Sequence, residues 1–333
     1  MLLVVATMLL VGSAIAEPTP QGAQKPAPKP APQTTTPAAA QWAQPFAPAV
    51  GSRWLIVSEH TYSDASLASQ SGGRLILRRD LAFTAREGTG YRVTLVLREA
   101  AVEGVNSALQ LTANALAAFR DLKVEAITDA AGVPLQVVNE AAVRAAAASA
   151  SNRLMAPVAD KPQIVSLMRL MLSNFLDPKG AAAAAAWLDP LPRLAAAQNT
   201  ALERGAESRI EDTLPSPLGG TIRSTTVKRL APNARPERFT LLATTTPDPA
   251  STREVMLAVA RQIAAGQPQS GLNERTVKQV LSQMKADIHM NQEIEVEGGM
   301  ARHALFEQVI DFGLVGKRMT RTQTARITVT PAP

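Results

Sequence analysis

The sequence predicts an α+β fold: a curved, largely antiparallel sheet or open half-barrel with a helical, Ala-rich middle segment. Three observations carry the prediction. Period-2 alternation runs through residues 74–98 and again through residues 288–329, as in strands with one buried and one wet face. Between these stretches lies helical material that includes Ala145–Ala148 and Ala181–Ala186. The chain is 46% hydrophobic but only 4% aromatic, which supplies a large core and excludes a wholly disordered polymer.

Residues 1–16 read as a secretory signal peptide. The apolar run Leu2 to Val11 is followed by Gly12, Ser13 and the small-x-small triplet Ala14-Ile15-Ala16, with cleavage expected after Ala16. The run falls short of the roughly 20 residues a membrane-spanning helix needs. No Lys or Arg precedes it, so the natural start is expected upstream; the competing reading is a buried N-terminal strand. The chain holds no cysteine, which excludes disulfides, thiol chemistry and a lipid-modified N-terminal cysteine. An exported protein, periplasmic or secreted, with no transmembrane helix in the mature chain is the expectation.

Residues 17–50 read as a disordered Pro/Ala-rich linker, holding nine of the 24 prolines. At about 3.1 Å per residue such an arm reaches on the order of 100 Å. A spacer and a PxxP ligand are both readings of it, and Trp42 and Phe46 are expected to dock against the domain edge.

Residues 51–333 read as a single α+β domain, with two similar halves (51–139 and 206–333) joined by a helical segment, 140–198. In the first half, Leu75, Leu77, Leu81 and Phe83 alternate with polar neighbours, as do Tyr91, Val93, Leu95 and Leu97. Leu109, Thr112, Leu116 and Phe119 take helical spacing; Val124–Ile127 and Leu135–Val138 form a hairpin turned at Ala131-Gly132. In the middle, Gln163 to Leu176 predicts one helix, capped by Asp160 with Pro162 in its first turn. Arg169 is the only charge in that run, and a helix apolar nearly all round must be buried or cover something apolar. Asp189-Pro190-Leu191-Pro192 interrupts the helical material after Trp187.

The second half repeats the order. Strands are expected near Glu207, at Ile222–Leu230 and at Arg238–Thr246. Asp248 caps a helix with Pro249 at its first position and Gly266 at its end, and Asn273 caps another. Three strands close the chain, with Ile288, Met290, Ile294 and Val296, then Phe306, Ile310, Phe312 and Leu314, then Met319, Ala325, Ile327 and Val329 expected on the apolar face of each. Gly72-Gly73 and Gly219-Gly220 occupy matching places in the halves, which a duplication or ordinary turn chemistry explains equally.

Catalytic motifs are absent from the sequence: none of His60, His289 and His303 lies in a recognisable zinc or triad context. The best cluster is Glu293, Glu295, Glu297 and His303, read either as a carboxylate–imidazole site or as an acidic wet face paired with Arg302, Arg318, Arg321 and Arg326. The net charge of +6 comes from scattered basic pairs such as Arg78-Arg79 and Lys228-Arg229. Without aromatic partners these do not favour nucleic acid. An anionic envelope surface or plain solvation accounts for them.

In this order of elements the chain resembles uncharacterised exported proteobacterial proteins. It also resembles the periplasmic lipoprotein carriers of the LolA/LolB type, in which helices cover an apolar concave sheet. The resemblance covers residues 51–333, rests on element order, and transfers no binding residue. The expected function is non-catalytic binding of an apolar or lipid-like ligand in the envelope. Its candidate contacts are Ile164, Leu167, Met168, Met171, Phe175 and Trp187, with a plain core helix as the rival reading. A structural or adaptor protein of the envelope is the alternative; a hydrolase or metal-binding protein using Glu295 and His303 comes third. No cofactor is expected.

Overall fold

The computed structural model describes residues 41–42, 44–64, 73–198, 202–215, 221–232, 234–265, 285–314 and 317–332. The expected signal peptide, the linker up to residue 40, the Gly266 stop and the Asn273 helix lie outside these residues.

Alternation becomes strands where expected. β1 (Gln41–Trp42) is followed by a meander of β2 (Arg53–Asp64), β3 (Arg74–Glu87) and β4 (Gly90–Glu103). Helix α1 (Ser107–Leu116) continues as a 3-10 turn, Ala117–Phe119. The hairpin of β5 (Lys123–Thr128) and β6 (Pro134–Val137) comes next. Asp129 turns it by accepting hydrogen bonds from the backbone N–H of Ala131 at 2.8 Å and of Val133 at 2.9 Å.

The middle is helical: α2 (Glu140–Met155), α3 (Pro162–Met171), α4 (Ser173–Leu176), α5 (Gly180–Trp187) and α6 (Leu191–Gln198). The single helix expected over Gln163–Leu176 is therefore two, broken at Leu172, where Ser173 and Asn174 are residues that favour caps over helix interiors. Pro162 does open α3, but the cap position falls on Lys161 rather than Asp160, and the Lys161 carbonyl accepts the first bond, from Val165 N–H at 3.1 Å.

The second half comprises β7 (Leu202–Glu203), β8 (Glu207–Pro215), β9 (Thr221–Leu230), β10 (Arg238–Pro247), α7 (Pro249–Ala265), β11 (Lys285–Glu297), β12 (Met300–Leu314) and β13 (Lys317–Pro331). Asp248 caps α7, its Oδ2 accepting from Ser251 N–H at 2.9 Å. These bonds and Arg223 hold the Asp248 carboxyl below its usual pKa.

Eleven strands form one open antiparallel sheet in the order β6-β5-β4-β3-β2-β13-β12-β11-β10-β9-β8. Twisted sheets of more than about ten strands curl, and the inner face of this one is covered by the middle helices, with α5 against β6 and α6 against β12. Each half is a simple meander interrupted by one helix after its third strand, and the halves meet where β2 pairs with β13. Strand β2 was not legible as a strand, because its inward positions include the polar Ser58 and His60.

The packed fold begins before residue 51. Phe46, only 4% exposed, packs edge-on against Phe83 and Tyr91, each at 5.6 Å. Gln44 bonds the Pro236 carbonyl at 2.6 Å and accepts from Gly299 N–H at 2.9 Å. The linker boundary expected at residue 50 thus moves back, and Phe46 enters the core instead of docking at an edge. Gly132 makes the room: at φ +83°, a Cβ there would lie 2.8 Å from the Phe46 ring and 2.9 Å from Ala195.

Candidate functional site

The inner face of the sheet is not filled. A cavity of about 200 Å³ lies between it and the helices. Leu75 and Leu77 of β3 form its sheet wall, while Leu116 of α1, Phe119, and Ala147, Ala150 and Leu154 of α2 face them. Leu172, Phe175 and Leu176 complete the apolar lining. The alanines leave the space open, because α1 and not α2 packs on the sheet here and the small side chains of α2 do not fill the gap between them.

At one end the lining becomes polar, with His60 of β2, Arg79 of β3 and Asp189, which precedes α6. Positions 75, 77, 79, 81 and 83 share the inward face of β3, so Arg79 occupies a slot otherwise given to leucine and phenylalanine. Its guanidinium donates to Ser58 Oγ at 3.1 Å, the one hydrogen bond it makes among the described residues. Burial lowers its pKa, with Asp189 opposing. Asp189 itself is held by Arg193, whose Nε and Nη2 lie 2.9 and 2.7 Å from Oδ1. Arg193 is 4% exposed and stacks over Phe306 at 4.5 Å. Burial, reinforced by Arg79 and Arg193 and opposed by Asp189, brings the His60 pKa down to about 4. The imidazole is therefore neutral near pH 7, and among the described residues its Nε2 has no hydrogen-bond partner.

Phe175 lines the cavity as expected. Trp187 does not line it but backs two residues that do, with its ring 5.0 Å from Phe119 and 5.6 Å from Phe175. Met168 does not line it but is buried behind its wall, in a cluster with Ala115, Leu154, Met155 and Val158, of which Ala115 and Leu154 line the cavity. The side chains of Ile164, Leu167 and Met171 lie outside the described residues. Sequence reasoning missed His60, Arg79, Asp189 and the α2 alanines. An arginine at an inward position of an alternating strand was the signal that could have found Arg79.

A second cavity of about 110 Å³ lies on the far side of α6, between Ala197 and the inner face of β8 to β11, and contains Lys228 and Asp212. Burial lowers the Lys228 pKa against the opposing charge of Asp212. On the outer face, Arg229, Leu242, Glu293 and Glu307 line a wider groove of about 470 Å³, but its polar rim offers an apolar ligand little.

Register places Glu295 opposite His303. However, the Glu295 carboxylate is engaged by Arg238, outside the expected set of cationic partners. Arg302 lies over the Trp54 ring at 4.8 Å and Arg321 over the Tyr62 ring at 5.3 Å. Among the described residues no group of three His, Asp or Glu side chains is placed to hold a metal ion, and no helix is long and apolar enough to cross a membrane.

No family model and no curated protein matches this chain. Among solved structures, one titled for lipid–protein interactions in lipovitellin aligns at 9% identity and a TM-score of 0.39, over 86% of this chain and 26% of that one. The chain thus spans about a quarter of that neighbour, and no functional argument rests on a likeness of this size.

Proposed function

We propose that this protein is a non-catalytic binding protein for an apolar, lipid-like ligand, held between the inner face of the sheet and the helices that cover it. The observation that carries the proposal is the cavity of about 200 Å³ walled by Leu75, Leu77, Phe119, Leu154 and Phe175. Close-packed interiors leave few voids larger than a water molecule, so an apolar space of this size is a built feature. It is smaller than the roughly 300–1,000 Å³ of drug-sized sites, which favours a single chain over a bulky lipid. At about 15–30 Å³ per water-sized group, it has room for roughly seven to thirteen methylenes. The open half-barrel under helices is also the arrangement through which the sequence resembles periplasmic lipoprotein carriers. Together with the export signal expected at residues 1–16, this supports a place in the envelope.

The test is to fill the space. Ala150, 5% exposed, faces the cavity from α2, and Ala150→Phe puts a ring where the chain would lie. Binding of an apolar fluorescent dye is expected to weaken at least tenfold, while the far-UV circular dichroism stays as in the parent. A parent chain that binds no dye and shows a ligand-free mass in native mass spectrometry would overturn the proposal.

A further inference from the structure

We infer that the ligand is an anionic single-chain amphiphile whose carboxylate or phosphate head binds Arg79, with His60 beside it and the chain running into the apolar part of the cavity. The inference rests on the carrier function proposed above and adds the chemistry of the head group. Three cationic or anionic side chains meet at the polar end, and their charges do not cancel. Arg193 and Asp189 neutralise each other through two contacts to one carboxylate oxygen. Arg79 is left with a hydroxyl, Ser58 Oγ, and with no carboxylate in ion-pair distance among the described residues. A guanidinium withdrawn from water and held directly by one hydroxyl, with Asp189 acting on it only from beyond contact and shared with Arg193, is costly, and its five donors match the oxygens of a carboxylate or phosphate.

His60 fits the same ligand. Its unpartnered Nε2 lines this end of the cavity, and in the tautomer protonated there it donates to a second oxygen of the head. The uncharged ring neither repels a cation nor holds an anion by charge, so selection for negative charge falls to Arg79. Asp189 borders the same space, and its negative charge disfavours an anionic head on the α6 side, which leaves Arg79 as the head's partner. The apolar walls begin at Leu75 and Leu77, the next inward positions of the strand that carries Arg79. Head and chain subsites are therefore adjacent along one strand.

The experiment compares four ten-carbon probes on the purified chain by calorimetry: decanoate, decyl phosphate, decanol and decyltrimethylammonium. Decanoate or decyl phosphate is expected to bind at least tenfold more tightly than decanol, and whichever anion leads identifies the head chemistry. In Arg79→Met the ratio of anion to alcohol affinity is expected to fall to about one, and in Arg79→Lys to keep part of its value. The ratio within each variant is insensitive to a general loss of stability, and Arg79→Gln serves if the methionine variant does not fold. Equal affinities for decanol and the anions in the parent chain would overturn this inference and leave the carrier proposal standing. So would preference for the cation, or an anion preference that survives loss of Arg79. Binding of none of the four would overturn both.

Discussion

His60 shows how burial sets the behaviour of a single residue. Its imidazole sits at about 4 instead of the ordinary 6.5 because burial and two guanidinium groups disfavour its charged form, against Asp189. A base whose folded pKa is depressed stays neutral in the native state while the unfolded chain takes up a proton. Stability therefore falls as pH drops from about 6.5 to about 4, by up to about 3 kcal/mol for this one site. Urea midpoints at pH 7 and pH 4.5 measure the loss. His60→Gln is expected to narrow the gap between the two midpoints, and an equal gap in parent and variant would refute the assignment. Arg79 was readable only as one of two adjacent arginines. The alternation of β3 puts residue 79 inward, but whether a counter-charge meets it depends on Ser58, Asp189 and Arg193, which arrive from other parts of the chain.

Among the elements, the segment 44–49 changed most between expectation and structure. Proline-rich composition predicts an extended, solvated arm, and that prediction fails where a single phenylalanine finds a pocket. Phe46, Phe83 and Tyr91 form a three-ring cluster with centroids 5.6–5.7 Å apart, and removing a buried phenylalanine costs about 3–5 kcal/mol. Phe46→Ala should lower the urea midpoint accordingly, whereas deleting residues 17–40 should not; a Phe46→Ala midpoint within error of the parent would show that the segment is only laid on the surface. The helices tell the complementary story. Alanine runs made the middle legible as helical, and of the two aromatics expected as ligand contacts Phe175 lines the cavity while Trp187 stands behind it. The cavity itself was not legible, because its volume is set by the distance of α2 from β3 and not by either sequence alone. Met168, on the same run as Phe175, packs behind the cavity wall beside Leu154.

At the scale of the molecule, the sheet is continuous only because β2 and β13 pair along residues 54–64 and 321–331. This seam joins the first long strand to the last, and without it the halves would be separate meanders with exposed edges. A chain ending at residue 314 is expected to lose cooperative unfolding when followed by circular dichroism in urea. A single transition with the parent midpoint would show that the halves are held by the helices instead. Charged pairs along the outer face, such as Arg74 with Glu103 at 2.6 Å and Arg98 with Asp80 at 2.7 Å, lie across neighbouring strands and favour register more than stability.

The sequence by itself determined most of the antiparallel strands, though not β2, together with the helical middle and the β5–β6 hairpin turn, because hydrophobic periodicity and turn chemistry act over a few residues. Tertiary structure alone decided the β2–β13 seam, the entry of Phe46 into the core, the cavity, and the meeting of Arg79 with Ser58, Asp189 and Arg193. Each of these depends on groups far apart in the chain, and their meeting is governed by packing and by the cost of burying charge, which no local pattern records.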